Sequence, residues 1–280
     1  MAFSGHRARK RFGQHWLKDE SVLNQIIQAA ELTAQDRVLE IGPGRGALTQ
    51  RLLFSPAAAI HAIELDRDLV AGLQHRFGQN NRFSLQQGDV LKESLQSPLG
   101  QQANKVVANI PYNITGPLLE RLLGRLDCPA EPAFERLVLL VQKEVAERIL
   151  ARPGESSFSA MSVRLQLLSK GRRICAVPPR CFQPAPKVHS AVIALEPLIR
   201  SDQLDKALAI QVGALLQQAF LTRRKMLRNS LATLRPEPEL SRIAESAGIS
   251  LNQRPQELPP MAWVNLARGL NQSDQVGSEP

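Results

Sequence analysis

Four consecutive residues, Asn109-Ile110-Pro111-Tyr112, could do chemistry on a flat heterocycle. They follow residues 105–108, a short apolar run that is typical of a buried strand. An amide oxygen at the end of a strand can accept hydrogen bonds from an exocyclic amine, and a tyrosine ring beside it can stack on a base. Because Asn-x-Pro is also common in loops, the stretch alone indicates a turn, and its interpretation depends on the rest of the chain.

A glycine-rich loop follows the first strand that the pattern predicts and opens a helix. Gly42, Gly44 and Gly46 alternate with other residues there. Glycines let a ligand approach the backbone closely, and a helix N-terminus offers free N–H groups. The spacing fits GxGxG, but together with Ala47 it also fits the GxGxx[GA] pattern of dinucleotide enzymes.

Two acids end the next two predicted strands. Glu64 stands where a carboxylate would meet a ribose diol, and Asp89 stands where one could accept a hydrogen bond from an adenine amino group. Either acid alone is more often a helix cap than a ligand. Together they occupy the carboxyl ends of adjacent strands, which is where open α/β sheets bind their ligands.

The elements that must position these residues alternate along the chain, after a first helix at about 20–31. Strands are predicted at 37–41, 59–65, 83–87, 105–108 and 134–141, and helices at 47–54, 66–77, 117–125 and 143–150. This alternation predicts an α/β fold with a doubly wound parallel sheet. Two further extended stretches, at 161–168 and 188–195, could add a hairpin at one edge.

The pattern changes after Pro197, where apolar residues recur at helical spacing. Further helices are expected near 222–234, 239–247 and 261–270. We therefore predict a basic N-terminal arm at 1–18, a catalytic domain at 19–199, a small all-helical RNA-binding domain at 200–270, and a disordered tail at 271–280.

The charge is concentrated in three segments. The chain has 35 Lys and Arg against 26 Asp and Glu, and residues 1–18, 170–187 and 222–235 each hold five basic residues and no acid. The remainder, with 20 basic and 26 acidic residues, is net negative. Solvated faces could carry such runs, but three acid-free segments on an otherwise acidic body favour a nucleic-acid partner.

Other classes are disfavoured by composition. No apolar run is long enough to span a bilayer, and no secretory leader is evident, so we expect no membrane association and a cytoplasmic location. Three cysteines without a CxxC or Cys/His spacing indicate a reducing compartment and no disulfide framework. The five histidines form no cluster with the spacing of metal ligands.

Four motifs along the chain resemble, in the same order, those of class I S-adenosylmethionine-dependent methyltransferases: EIGPGRGALT, IELD, GDVL and NIPY. The last motif, NIPY, is the form found in enzymes that methylate adenine in nucleic acid. Within these, almost the whole chain resembles the KsgA-type small-subunit (16S) rRNA adenine N6,N6-dimethyltransferase family. That resemblance includes RFGQ-x-x-L at 11–17, PPRCFQPAPKVHSAV at 178–192, FLTRRKMLRNSL at 220–231 and RPQEL at 254–258.

The resemblance implies dimethylation of N6 of two adjacent adenosines near the 3′ end of small-subunit rRNA during subunit biogenesis. The acceptor amine would be held by the Asn109 side-chain oxygen and the Ile110 carbonyl, with Tyr112 and Phe182 on the two faces of the base. S-adenosylmethionine would bind at His15, Leu17, Gly42, Gly44, Glu64, Asp89 and Asn109. Its sulfonium is already a strong electrophile, so no metal is expected.

We expect the basic segments to bind the RNA phosphates, through Arg7, Arg9, Lys10, Arg11, Arg223, Arg224, Lys225 and Arg228. The partner implied is the small-subunit rRNA or a pre-30S particle, and the protein is expected to be a monomer. The sequence departs from the family twice. His15-Trp16 replaces the usual Asn-Phe, and His189 stands where the family often has Asp.

Three alternatives stay open at this point. An antibiotic-resistance-type adenine methyltransferase that acts on large-subunit rRNA shares NIPY and the glycine loop, although RRKMLRNSL and RPQEL favour the small-subunit branch. A dehydrogenase shares the sheet, but NIPY would have no role in it. A non-catalytic RNA-binding assembly factor could keep the fold without the activity.

Overall fold

The computed structural model describes residue 9 and residues 13–95, 102–131 and 134–276, with no side chains described for 273–276. The chain divides into two compact units. The sheet unit comprises Met1–Leu123, Ala130–Ala146 and Lys170–Pro197, and the helical unit comprises Gly124–Pro129, Glu147–Ser169 and Leu198–Pro280. This grouping differs from the predicted domain at 19–199, because two segments from within that range belong to the helical unit.

The sheet unit is built on seven strands in the order β4-β3-β2-β5-β8-β11-β9. The first five of these lie parallel to their neighbours, and β11 runs antiparallel to β8. The order reverses between β2 and β5, which makes their carboxyl ends the switch point where open sheets bind ligands. The strands are β2 (Arg37–Ile41), β3 (Ala59–Glu64), β4 (Phe83–Gln87), β5 (Lys105–Asn109), β8 (Arg136–Gln142), β9 (Ser169–Val177) and β11 (Ser190–Pro197).

The segments between the strands form helices because their apolar residues recur along one helix face. In α1 the Asp19 side chain caps the N-terminus by accepting from the Val22 N–H at 3.0 Å, and the buried face includes Val22, Leu23 and Ile26. The α/β fold that the alternating pattern predicts is confirmed. The remaining helices of this unit are α2 (Ala47–Phe54), α3 (Arg67–Phe77) and α4 (Thr115–Leu123), with α1 at Glu20–Ala30.

Two short antiparallel ladders lie outside the main sheet. In the first, β1 (Trp16–Leu17) pairs with β10 (Phe182–Gln183), so the arm predicted to be irregular is tied down at its end. In the second, β6 (Gly124–Arg125) pairs with β7 (Cys128–Pro129). The first ladder bears directly on the site, since it fixes the direction of residues 13–17.

The helical unit contains α6 (Ala160–Gln166), α7 (Lys206–Leu221), α8 (Leu227–Ser230), α9 (Glu237–Ser246) and α10 (Pro260–Val276), while α5 (Lys143–Leu150) begins in the sheet unit. Helix α10 packs on α6, α7 and α9. The fully buried Trp263 side chain lies 5.8 Å from the Phe220 ring, between ring centroids.

Three element predictions differ from this structure. The stretch predicted to be extended at 161–168 is mostly helix α6, because Ser159 and Ser162 form a capping box and the helix buries Val163. Helix α10 continues six residues past the expected end at 270, where polar residues extend it to Val276. The helix predicted at 222–234 is reduced to the four residues of α8, preceded by a turn. Among the described helices, none is both long and apolar enough to cross a bilayer.

A buried ion pair closes the amino ends of the central strands. Lys105 Nζ lies 2.9 Å from Asp36 Oδ2, and both side chains are almost inaccessible. Burial of Asp36 would raise its pKa, but hydrogen bonds from Lys105, Asn104 and Thr33 outweigh that cost and lower the pKa to about 2. This folded pKa lies below the ordinary value of 3.8, so the pair stabilises the fold above that pH and loses its effect as the pH falls towards 2.

We predict that Asp36→Asn lowers the free energy of unfolding by about 2 to 3 kcal/mol at pH 7 and by much less near pH 2, since the charge it removes is protonated there. Urea titrations at the two pH values measure this. The matched control is Glu20→Gln, which breaks the exposed contact with Arg51 at 3.5 Å and should change stability little. Equal losses of unfolding free energy at both pH values would contradict a stabilising ion pair between Asp36 and Lys105.

Candidate active site

A cavity of about 340 Å³ opens at the carboxyl ends of the parallel strands. Its wall includes residues at the carboxyl ends of four strands: Ile41 is the last residue of β2, Glu64 of β3 and Asn109 of β5, and Gly88 and Asp89 follow β4. These include the residues that the sequence placed at strand ends. The fold therefore brings the glycine loop, the two acids and the Asn-Ile-Pro-Tyr stretch into one cavity.

Two positions of the glycine loop, Gly44 and Gly46, can hold no residue other than glycine. Gly44 has φ of +59°, and a Cβ there would lie 2.8 Å from Cδ1 of Trp16. Gly46 has φ of +79°, and a Cβ there would lie 2.5 Å from the Phe77 ring. The left-handed backbone and the close neighbours both exclude a side chain. The loop can therefore present its backbone to the cavity, with Gly42 and Gly44 in the wall.

The Glu64 carboxylate is buried and held by two backbone donors. Gly44 N–H donates to Oε2 at 3.0 Å, and Asp66 N–H donates to Oε1 at 2.8 Å. Burial raises the pKa of this carboxyl above its ordinary value, and the two backbone hydrogen bonds oppose that shift. Glu64 therefore both fixes the glycine loop and offers acceptor oxygens to a ligand. Asp89, also in the wall, caps its own turn by accepting from the Leu91 N–H at 3.0 Å.

Glu40, which precedes the glycine loop, is an unexpected neighbour of this site. Its side chain is 1% exposed, and neither oxygen has a hydrogen-bond partner among the described residues. Burial raises its pKa to about 8, Thr49 opposes the shift without forming a well-aligned bond, and the Glu64 carboxylate adds to it. Glu40 is therefore mostly protonated and neutral at pH 7, and a cation placed beside it would favour its ionised form.

The acceptor stretch is held by contacts on both sides. Asn109 Nδ2 donates to the His15 carbonyl at 3.0 Å, which leaves the amide oxygen as the atom that can meet a substrate amine. Tyr112 hydroxyl lies 2.6 Å from Ser190 Oγ, and its ring stacks on His15 with centroids 5.7 Å apart. Burial raises the pKa of Tyr112, so its phenol stays neutral.

Residues 13–17, which we call the strap, cross the mouth of the cavity. Gln14 Nε2 donates to Asp66 at 2.7 Å, and His15 Nδ1 lies 2.8 Å from the Pro184 carbonyl. Arg9 pairs with Asp66 at 2.9 Å and also with Asp68. The strap is thereby fixed both to the N-terminus of α3 and to the acceptor side.

Two residues expected in the site are turned away from the cavity. Leu17 and Phe182 face each other in the β1–β10 ladder, with exposures of 6% and 2%, and both belong to the hydrophobic core cluster. Leu17 lines a neighbouring groove instead, and Phe182 lines neither. The expected second stacking face at Phe182 is not formed here, because strand pairing directs the ring into the core.

The basic residues predicted to bind RNA differ in their exposure and in their contacts. Arg9 is engaged by two carboxylates, so its predicted role in binding phosphate is not supported by this geometry, and Arg7, Lys10 and Arg11 lie outside the described residues. The predicted basic helix at 223–225 is a turn, because α7 ends at Leu221. Arg224, Lys225 and Arg228 are exposed, whereas Arg223 is partly buried and bonds the Ser156 carbonyl.

Sequence reasoning missed several contacts of the site. The Arg45 guanidinium lies 3.9 Å over the Trp16 ring, which accounts for a tryptophan in the strap. Ser190, which holds Tyr112, lies in the HSAV stretch, whose likeness to the family did not indicate this contact. His189 itself is exposed, and only its backbone takes part, through a carbonyl that accepts from Lys143 N–H. Glu40 was visible in the glycine-loop motif, but no sequence pattern indicated its isolation.

Comparison with known proteins gives one consistent result. A family model described as ribosomal RNA adenine dimethylase matches residues 5–272. The chain is 66% identical over 278 residues to the ribosomal RNA small subunit methyltransferase A of Synechococcus sp. (strain WH7803), covering 99% of each protein. It is 64% identical over 280 residues to the protein of that name from Prochlorococcus marinus (strain MIT 9303), covering all of both.

Solved structures agree. A dimethyladenosine transferase from Plasmodium falciparum is 27% identical with a TM-score of 0.77, over 93% of this chain and 98% of that one. The 23S rRNA methyltransferase ErmE is 25% identical with a TM-score of 0.73, over 92% of this chain and all of that one.

The isolation of Glu40 leads to a prediction about stability and pH. Its folded pKa of about 8 lies above the ordinary value of 4.5, so the protein loses stability as the pH rises between these values. We predict that Glu40→Gln raises the free energy of unfolding at pH 8 by roughly 3 kcal/mol and has little effect at pH 4.5, where Glu40 is protonated in the folded protein and half protonated in the unfolded chain. Urea unfolding at the two pH values measures the difference.

The control for this variant is Glu144→Gln, an exposed glutamate of α5 whose replacement should leave the unfolding curves unchanged. If Glu40→Gln loses stability at pH 8, then Glu40 is ionised and compensated, and the description of an isolated carboxyl is wrong.

Proposed function

Because the chain belongs to the ribosomal RNA adenine dimethylase family, we propose that it uses S-adenosylmethionine to dimethylate N6 of two adjacent adenosines near the 3′ end of small-subunit (16S) rRNA. One observation carries this proposal. Asn109 and Tyr112 share a cavity with Glu64 and Asp89 in a chain that is 66% identical to a small-subunit methyltransferase over nearly its whole length. The similarity to ErmE, at 25% identity, gives less support to a large-subunit substrate.

The residues of the cavity suit S-adenosylmethionine, which supplies a methyl group on a positively charged sulfur when bound. Glu64 is placed to accept hydrogen bonds from the ribose hydroxyls, and Asp89 from the adenine amino group. The glycine loop allows close approach at the methionine end. The positive charge of this ligand would favour the ionised forms of the buried Glu64 and Glu40 side chains, and His15 closes the cavity from the strap. Leu17 can contribute only from the neighbouring groove.

The protein's part in methyl transfer is to hold the acceptor amine. The Asn109 side-chain oxygen and the Ile110 carbonyl accept the two N6 hydrogens, which localises the nitrogen lone pair towards the methyl group. Tyr112, fixed by Ser190, stacks on the base. An amide is not a base, so the proton released from N6 passes to water. Electrostatic positioning is therefore the main contribution of this site.

The target adenosine must leave its stack to reach the cavity, so an unpaired or loop adenosine costs least. Exposed cations in the helical unit, at Arg224, Lys225 and Arg228, supply phosphate contacts that carry affinity without reading sequence. We further propose that the protein acts as a monomer, in the cytoplasm, on a pre-30S particle.

The test is incubation with labelled S-adenosylmethionine and unmethylated small subunits, followed by mapping of the modified bases. We predict label on two adjacent adenosines near the 3′ end, and a loss of at least about 100-fold in turnover for Asn109→Ala, which removes one acceptor. RNA binding by that variant should match wild type. Asn81→Ala, an exposed amide before β4, serves as the control and should keep full turnover.

Other outcomes identify the alternatives. Label in large-subunit rRNA alone would move the substrate to the other ribosomal subunit. RNA binding without turnover by the wild-type chain would indicate a non-catalytic assembly factor. Unchanged turnover in Asn109→Ala would remove Asn109 from its role.

The exposed cations give a second prediction. Replacing Arg224, Lys225 and Arg228 by alanine should lower the slope of log binding constant against log salt concentration by about 2, because about three phosphate contacts are lost and each contributes about 0.7 to 0.9. Cofactor affinity should not change. The control with equal charge replaces Lys92, Arg152 and Arg164, exposed cations that lie outside the three basic segments. An equal fall in slope for both triple variants would show that only net charge matters.

A further inference from the structure

A second concave surface lies beside the active-site cavity in the sheet unit. This groove has a volume of about 500 Å³ and shares Trp16, Gly42, Gly44 and Asn109 with the cavity wall. It runs from Asn109, the proposed acceptor residue, along one side of α2. Nothing in the proposed binding of adenine or cofactor uses the far end of this groove.

One face of α2 forms that far end. Ala47, Gln50, Arg51 and Phe54 line the groove and have the i, i+3, i+4, i+7 spacing of a single helix face. The opposite face, which carries Thr49, Leu52 and Leu53, is buried. Phe54 lies seven residues along the helix from Ala47, about 10 Å at the rise of an α-helix. The groove therefore extends well past the glycine loop.

Phe54 is unusual for its exposure. Its side chain is 82% exposed, the highest value among the large apolar side chains in the described part of the chain. A phenyl ring that is free on the surface can stack on any nucleic-acid base, since every base has a π-face.

The groove is also strongly basic. Lys18, Arg45, Arg51 and Arg76 line it, against the single acid Glu20. Glu20 lies 3.5 Å from Arg51, but its side chain is 85% exposed, so the pair is largely screened by water. The contacts described for Arg76 are with uncharged groups, the Arg45 carbonyl, the Gln50 amide and the Phe77 ring. Its charge can still act on a phosphate.

We propose that this groove binds the single-stranded RNA next to the target adenosine, with Phe54 stacked on a flanking base and Arg51 and Arg76 on the phosphates. The inference rests on the proposed function and names the path of its substrate. An aromatic platform between cations is the arrangement that binds single-stranded nucleic acid. Continuity with Asn109 favours the RNA strand over an acidic protein, because the strand must emerge from the site where its adenosine is held.

The experiment uses the full-length protein and two synthetic RNAs. One carries the target adenosines with their single-stranded flanks, and the other is trimmed of the flanks. Phe54→Ala and Phe54→Leu should weaken binding of the flanked RNA about tenfold, since a base loses its aromatic partner. Phe54→Trp should bind as the wild type does. Binding of the trimmed RNA should be the same for all four proteins, as measured by fluorescence anisotropy.

Steady-state kinetics distinguish an RNA-binding role of Phe54 from a role in catalysis or cofactor binding. Phe54 does not contact the reacting atoms, so Phe54→Leu should raise KM for flanked RNA and leave kcat and the cofactor Kd unchanged. Ile199→Ala, at an exposed apolar residue of the helical unit, is the control and should behave as wild type. Because Phe54 is mostly exposed, thermal unfolding of the variants should match wild type.

Three results would overturn the inference: wild-type affinity of Phe54→Leu for flanked RNA, an equal loss in Phe54→Leu and Phe54→Trp, or a raised cofactor Kd with unchanged RNA binding. The last would assign the groove to the cofactor. Failure of the proposed function looks different, because the wild-type chain itself would then leave unmethylated small subunits without label.

Discussion

The hydrogen bond from Asn109 Nδ2 to the His15 carbonyl joins the two halves of the site. On one side it orients the amide that must receive the acceptor amine. On the other it holds the strap, whose His15 and Trp16 lie against Tyr112 and Arg45. The bond forms at the end of β5, at the switch point of the sheet, where pairing with β2 has stopped at Ala108 while Asn109 still pairs with Leu140 of β8.

The opposite end of the strap is fixed by charge. The Asp66 side chain is fully buried, caps α3 and receives both Arg9 and Gln14. Burial strengthens such hydrogen bonds and makes an unpaired carboxylate costly, so Asp66 retains its partners. Asp66 N–H also supports Glu64. A single turn at the end of β3 therefore holds the strap, supports the Glu64 carboxylate and caps α3.

Buried carboxylates have opposite roles at the two ends of the sheet. At the amino ends, Asp36 is compensated by Lys105 and contributes stability. At the carboxyl ends, Glu40 lacks a hydrogen-bond partner among the described residues and costs stability. That cost has a use if a positively charged ligand enters the adjacent cavity, since the ligand supplies the charge that the protein lacks. The sheet thus keeps its stabilising pair away from the site.

The sequence predicted the parts of this structure that repeat or that lie at strand ends. Continuous apolar runs gave β2, β3, β5 and β8, and parallel strands bring their ends together whatever the details of packing. Contacts between distant segments were not predictable. The β1–β10 ladder has only two residue pairs, too short to show a period, and it alone decides that Phe182 faces the core. Helix α6 was missed because Met161, Val163 and Leu165 alternate as in a strand, whereas a capping box and burial in the helical unit select a helix.

The same short ladder limits how the acceptor base can be held. His15 stacks on the Tyr112 ring, and Phe182 is withdrawn beside Leu17. A base enclosed between Tyr112 and Phe182 would require residues 182–183 to separate from the strap. Two residue pairs form few hydrogen bonds, so this separation costs little compared with opening a strand of the main sheet. The strap is also part of the cofactor cavity, so any movement that admits the base changes the wall around the methyl donor. Such a movement would couple the binding of the two substrates through residues 13–17, and by linkage each would then change the affinity for the other to the same degree.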